Sequence, residues 1–198
     1  MKEISVNTRK RGDTLVESIY DAAVNLIIEV GYANLTFQRI AKAAKTSRSV
    51  LYRRWTSMFD LLMEIVDDRS SKALGGQLID RIENTGTLRG DLLNLLTLYQ
   101  SIYIEIGPEI LSAVFFEIGQ GNKKVPGAEI DAAAKNILVM RKLLENAKSR
   151  GEKIKDVSDI TLSLPFNLIR MENLMYKNVD SNQIALFVDE ILFPVFTV

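Results

Sequence analysis

The sequence predicts an all-α chain. Three observations lead there. Apolar residues recur at helical spacing, as in Leu15, Ile19, Ala22, Ala23, Leu26, Ile27 and Val30, the stripe by which a helix faces a core. Alternating apolar–polar runs of strand length are missing from the sequence. Ser, Thr and Gly stand where helices should begin and stop. No internal repeat is visible.

Residues 1–12 are polar, basic and aperiodic, and read as a mobile arm. The first helix follows and stops at Gly31. Thr36 is a good N-cap for a second helix whose inner face is Phe37, Ile40, Ala41 and Ala44. Lys45 and Thr46 form a turn. Ser47 caps a third helix, which buries Val50 and Leu51 and ends near Trp55. Thr56 or Ser57 caps a fourth, with Phe59, Leu61, Leu62, Ile65 and Val66 on its apolar side. Gly75-Gly76 weakens or ends it, and the chain is helix-like again to Glu83. Asn84 to Gly86 is a turn. Leu88 to about Ile106 is strongly apolar and helical. Pro108 suits the first turn of the next helix, which runs to Ile118. Residues 119–127 (GQGNKKVPG) read as a loop. Long helices follow over 128–150 and 156–176, the second with a kink at Pro165. Ser181 caps a last helix through Phe193, and Pro194 ends it.

The composition narrows the chemistry. The 198 residues contain neither Cys nor His. Disulfides, thiolate metal sites and the commonest general base are therefore excluded. No nucleophile–base pair is visible, so an all-α hydrolase is the weakest reading. No cofactor and no metal are expected. The start of the chain lacks the apolar core of a signal peptide, and no apolar run could span a bilayer; a soluble cytoplasmic protein without membrane contact is expected. The net charge of zero hides an asymmetry. Residues 1–57 carry ten cations against five anions, the rest fifteen against twenty. A basic head on an acidic body suits phosphate recognition, although chance segregation of solvated charges gives the same count.

Residues 35–60 (LTFQRIAKAAKTSRSVLYRRWTSMFD) hold two short amphipathic helices and a tight turn. That is the pattern of a helix-turn-helix, whose second helix enters the major groove of DNA. In Ser47–Arg54 the outer face presents Arg48, Ser49, Tyr52 and Arg53. Arg can bond guanine O6 and N7 with both arms of its fork. Ser and Tyr hydroxyls can reach phosphate oxygens. The helix starts at Thr36 and Ser47 add backbone N–H groups that suit phosphates. Each residue also has a duller reading. Trp55 reads as core. Arg53 and Arg54 could be a solvated pair, Tyr52 could pack, and Arg9, Lys10 and Arg11 are either a tail or a minor-groove arm.

From Ile19 to Leu62 the chain resembles the tetracycline-repressor family of bacterial transcriptional regulators. The resemblance is carried by the AA-rich first helix, Gly31-Tyr32, Leu35-Thr36-Phe37, Arg39-Ile40-Ala41 and Ser47-Arg48-Ser49-Val50-Leu51-Tyr52-Arg53-Arg54-Trp55. Thr85-Gly86-Thr87-Leu88-Arg89-Gly90-Asp91-Leu92 is a weaker echo. The resemblance implies a three-helix DNA-binding domain over residues 1–56. It implies a larger helical domain over 57–198 that dimerises through the last two helices and encloses a small-molecule effector. Arg48, Ser49 and Arg53 would face bases or nearby phosphates, and Thr36, Ser47 and Tyr52 would grip the backbone. Tyr99, Tyr103, Phe115, Phe116 and Met140 would line the effector pocket, although aromatic and Met side chains at helical spacing also read as plain core. The protein would be a repressor that binds a pseudo-palindromic double-stranded operator as a homodimer and leaves it on binding effector. The alternative is a helical ligand-binding or interaction module that no longer reads DNA. Two departures stand out. The family usually has Gly in the turn where this chain has Lys45, which could add a phosphate contact. It usually has Lys at the start of the fourth helix, where this chain has Met58.

Overall fold

The computed structural model describes residues 5–122, 124–176 and 179–198. Those residues form helices α1 (Ser5–Val30), α2 (Phe37–Ala43), α3 (Arg48–Arg54), α4 (Met58–Leu74), α5 (Leu78–Arg81), α6 (Leu88–Ile106), α7 (Pro108–Gly119), α8 (Val125–Ser149), α9 (Asp159–Tyr176), α10 (Ser181–Leu186) and α11 (Phe193–Phe196). A short 3-10 turn, Tyr32–Asn34, joins α1 to α2. Among the described residues the nearest thing to a sheet is one antiparallel bridge, Ile154 to Thr197. The all-α class expected from the sequence is what is found.

Several boundaries move. The helix of residues 5–30 takes in most of the stretch read as an arm; a helix nucleated by its packed half propagates without needing an apolar stripe. Residues 1–4 of that arm lie outside the described residues. Helix α8 begins at Val125, inside the stretch read as loop, with Pro126 in its first turn, where a missing N–H costs nothing. Helix α9 starts three residues later than expected and runs on through Pro165. Asp180, not Ser181, caps α10, in a reciprocal pairing with Gln183. Pro194 does not end the last helix. A π-turn over Phe187–Leu192 shifts the hydrogen bonding, so that Phe193 N–H reaches Val188 O, and the chain stays helical to Phe196. Pro194 sits in the first turn of α11, where no donor is required of it.

Two apolar clusters organise the molecule. The first joins α1 to α4 and takes in Ile102 and Ile106 of α6 with Ile110 and Ala113 of α7. The second is built from α6, α8, α9 and the C-terminal helices around Leu92, Leu96, Met140, Phe166 and Val188. The start of α6 is fixed by a buried carboxylate. Asp91 is fully buried, accepts from Thr85 N and Oγ1 at 2.7 Å each, and pairs with Arg150 Nη2 at 2.7 Å. Gly90 is required there, because a Cβ would lie 2.3 Å from Thr85 Oγ1. Helix α9 is apolar nearly all round. Leu162, Phe166 and Ile169 face the core, while Ile160, Met171 and Met175 are exposed at 84%, 57% and 63%.

Candidate nucleic-acid interface

The reading head is positioned by helix ends. Thr36 caps α2, its Oγ1 accepting from Arg39 N at 3.2 Å. Helix α2 then closes in a Schellman motif: Thr46 N donates to Ala41 O at 2.9 Å and Lys45 N to Lys42 O at 3.3 Å. That closure puts the residue after the cap in the left-handed region, normally a glycine's place. Lys45 occupies it with φ 51°, the one positive-φ residue other than glycine among the described residues. The turn is therefore built as a glycine turn and carries a cation instead.

Ser47 holds the N-cap position of α3 without capping it. Its hydroxyl meets Ser49 Oγ at 2.8 Å, and no side-chain cap bond is made. The α3 N–H groups are left for another acceptor, as is one hydroxyl of the Ser pair. Leu51 is buried and Val50 half-buried, as the spacing requires. Tyr52 is 60% exposed, and its ring stands edge-on to Phe37 with centroids 4.9 Å apart. It both packs and leaves its hydroxyl outward. Arg39, Lys42, Lys45, Arg48 and Arg53 are all exposed, and none forms an ion pair among the described residues. An unneutralised basic face of this kind attracts polyanions. The side chains of Arg9, Lys10 and Arg11 lie outside the described residues. Met58, where a lysine was the family expectation, is half-buried against the first core.

Arg54 has a different task. It pairs with Glu64 of α4, its Nε reaching Oε1 at 3.1 Å, and stacks on Trp55 with its guanidinium 5.3 Å from the ring centroid. The Trp55 indole N–H donates to the other Glu64 oxygen, and the Tyr20 ring of α1 lies 6.3 Å from that of Trp55. Burial pushes the Glu64 carboxyl up, but Arg54, Tyr20 and Trp55 together hold it below the usual range. One acid thus clamps the end of α3 to α4. Trp55 is 1% exposed, the core residue its type suggests. Glu64 was not visible as functional in sequence, since it looks like any helix-surface acid.

The head is also tied to the body. Ser57 and Asp60 form a capping box at the start of α4. Lys124, at the start of α8, reaches both Asp60 oxygens at 2.7 Å, Thr56 Oγ1 at 2.8 Å and Ser57 Oγ at 3.3 Å. Burial pushes the Asp60 carboxyl up, but Lys124 and the Thr56 and Ser57 donors outweigh it and lower it to about 2. Between α1 and α2, Tyr32 donates to Glu117 of α7 and stacks edge-on with Phe116 at 5.7 Å. Asn122 donates to the second Glu117 oxygen at 2.6 Å.

Of the five residues expected to line an effector pocket, Tyr99, Tyr103 and Met140 share the second apolar cluster, whereas Phe116 packs against Tyr32. Tyr99 and Tyr103 are in contact, with ring centroids 5.3 Å apart. Met140 is fully buried in the second core. Phe116 is on the surface beside Tyr32, and Phe115 is half-buried. Two clefts lie elsewhere. One of about 270 Å³ is lined by Glu17, Tyr20, Asp68 and Arg69, and one of about 330 Å³ by Leu15, Val50, Arg53 and Trp55. No group of three acidic side chains that could hold a metal occurs among the described residues. No helix of the described residues is long and apolar enough to cross a membrane.

A pair of short helices joined by a tight turn, with an open basic face and carried on a helical body, defines a helix-turn-helix DNA-binding regulator. Residues 19–65 match the family model described as bacterial regulatory proteins, tetR family. An uncharacterised HTH-type transcriptional regulator of Mycobacterium tuberculosis (strain ATCC 25618 / H37Rv) is 26% identical over 182 residues, covering 88% of this chain and 84% of the relative. NalD, the secondary repressor of the MexAB-OprM multidrug efflux pump in Pseudomonas aeruginosa, superposes with a TM-score of 0.68 at 18% identity, covering 95% of this chain and 98% of that one. The transcriptional regulator FadR of Bacillus subtilis, in complex with stearoyl-CoA, gives 0.69 at 17% identity over 87% of this chain and 96% of that one. Residues 19–65 thus carry the DNA-binding segment of the tetR family of bacterial transcriptional regulators, and the fold of the whole chain is similar to that of solved members.

Proposed function

We propose that the protein is a cytoplasmic, ligand-responsive repressor that binds a pseudo-palindromic operator as a homodimer. The observation that carries this reading is the free basic face of the head: Arg48 and Arg53 on α3 and Lys45 in the turn are exposed and unpaired among the described residues. In this reading Arg48, Ser49 and Arg53 meet bases or adjacent phosphates. Thr36, Lys45, Ser47 and Tyr52 hold the backbone, and the head of residues 1–56 is governed by the body of 57–198. The exposed Ile160, Met171 and Met175 on α9 and Leu186 on α10 support a partner chain over the last helices, because a soluble chain rarely leaves such a row uncovered. Two heads joined in this way bind far more tightly than one. The repressor role printed for NalD supports the sign of regulation, and the acyl ligand printed for FadR supports an effector in the body.

The test is binding to the DNA upstream of the protein's own gene, followed across salt concentration. Arg48→Ala with Arg53→Ala should lower the salt slope by roughly two per head and weaken binding at least tenfold. Unchanged affinity in the double variant overturns the assignment of the reading face.

A further inference from the structure

The cleft between α1 and α3 lies beside the reading helix, and it is apolar where the rest of that face is basic. Helices α1 and α3 each pack on α2. The space left between them holds about 330 Å³, the size of a small-molecule site. Leu15, Val16 and Ile19 of α1 form one wall, Val50 of α3 forms the other, and Trp55 closes the end of α3. Ile19 and Trp55 are buried beneath. Leu15, Val16 and Val50 are half-buried, so apolar surface stays open to the cleft. The Trp55 indole N–H is already spent on Glu64, which leaves its ring as an apolar surface.

The charge around the cleft has one sign. Arg53 and Arg54 are its polar lining, and no carboxylate lines it among the described residues. Arg54 is balanced by Glu64. Arg53 is exposed and forms no ion pair among the described residues. The other cleft differs, because its charges answer one another: Lys72 pairs with Asp68 at 2.8 Å, and Arg69 donates to Glu105 O at 3.0 Å.

These walls select among anions. A phosphodiester backbone gains nothing from Leu15, Val16 and Val50. A hydrocarbon or aromatic group does, because covering apolar surface is favourable in proportion to its area. A carboxylate at the end of such a group fits the guanidinium fork of Arg53 with two parallel bonds.

We propose that the α1–α3 cleft binds a small amphipathic carboxylate, its apolar part between Leu15, Val16 and Val50 and its acid group on Arg53. Bound there, the acid occupies an arginine of the reading face, so acid and operator exclude each other directly. This control needs no movement of the body and is separate from an effector held there. The site stands on the cleft and its lining; only the consequence for DNA rests on the assignment of Arg53 to the reading face.

Trp55 makes the test local. It is the one tryptophan of the chain, and bromine quenches an indole only at close range. The full chain is titrated with ω-bromooctanoate, with neutral ω-bromooctanol as control. The acid should quench Trp55 saturably, about tenfold more tightly than the alcohol. Unbrominated octanoate should reverse the quenching and raise Tm. Arg53→Gln should bring the acid down to the level of the alcohol, and Arg53→Lys should keep part of the preference. With the upstream DNA, apparent Kd should climb in proportion to octanoate without a plateau. No quenching, equal quenching by the alcohol, or an Arg53→Gln protein that keeps the preference overturns the proposal. So does an acid that binds by calorimetry but leaves Trp55 fluorescence unchanged, since it then sits elsewhere. A plateau in the DNA titration overturns direct exclusion. Quenching by the acid in a chain that binds no upstream DNA upholds the cleft and removes the proposed function instead.

Discussion

Lys45→Gly should uncouple stability from DNA binding. Lys45 sits at φ 51° in the Schellman closure of α2. A side chain in that region costs about 1 kcal/mol through the contact of Cβ with the following carbonyl. Glycine removes the cost and keeps both closing hydrogen bonds, which involve backbone atoms alone. It also gives the unfolded chain more freedom, a loss of roughly 0.4–1 kcal/mol. The two nearly cancel, so Lys45→Gly should lie between no change and about 0.6 kcal/mol more stable by urea denaturation. Lys45→Ala keeps the Cβ and the strain, and gains nothing. For DNA the order is different. Both variants lose one cation from the basic face, and both should lower the salt slope by about 0.9 per head. The paired measurement is what matters: equal loss of salt dependence, with glycine at least as stable as alanine. Glycine markedly less stable than alanine would refute the strain argument, and an unchanged salt slope would remove Lys45 from the phosphate contacts.

Further outcomes follow from other contacts. Gly90→Ala places a Cβ 2.3 Å from Thr85 Oγ1 and 3.1 Å from Thr85 Cβ; pushing Thr85 off Asp91 should cost about 1–3 kcal/mol in a thermal melt, and a neutral variant would mean that the turn yields. Asp60 has a folded pKa of about 2 against an ordinary 3.8, so its contribution is present above pH 4 and is lost as pH falls toward 2; Asp60→Asn should flatten that limb of an acid titration. Glu64→Gln removes the acid that clamps Arg54 and Trp55 and should lower both stability and DNA affinity, whereas a variant that loses stability alone would show that α3 keeps its place without the clamp.

The parts of the fold written in local chemistry were legible. Thr36, Gly31 and Pro108 marked helix ends correctly because capping depends on a few adjacent atoms. Lys45 stood out only against the glycine usual in the tetracycline-repressor family, and the backbone there is left-handed. What escaped were effects of distance. Nothing near Pro194 in sequence announces a π-turn, so an end was read where the helix continues. Glu64, Asp60 and Glu117 look like solvated acids until α1, α3 and α8 bring Arg54, Lys124 and Tyr32 to them. Arg53 and Arg54 are adjacent in sequence yet differ in task, because only Arg54 lies over α4. The aromatic residues of the body were visible by type, but type does not say that Phe116 turns to Tyr32 while Tyr99 packs between Tyr103 and Phe166.

The joint between head and body is a shared core with polar pins. Ile102, Ile106, Ile110 and Ala113 of the body belong to the same apolar cluster as Ile19, Phe37 and Leu51 of the head. Apolar contact is non-directional, so such a joint resists separation while tolerating small rotations. The directional terms are few. Tyr32 to Glu117 holds the head to α7, Lys124 to Asp60 holds the start of α4 to the start of α8, and Glu64 holds α3 to α4. Any reorientation of α3 must carry α4 and α7 with it or break one of these bonds. Lys124→Ala removes one pin without touching the core or the reading face. It should leave thermal stability within about 1 kcal/mol, because the pair is partly exposed. If the pin fixes the angle of the head, DNA affinity should change severalfold with the salt slope unaltered, since no phosphate contact is lost. A variant whose affinity stays at the starting value would show that the apolar core alone sets the angle.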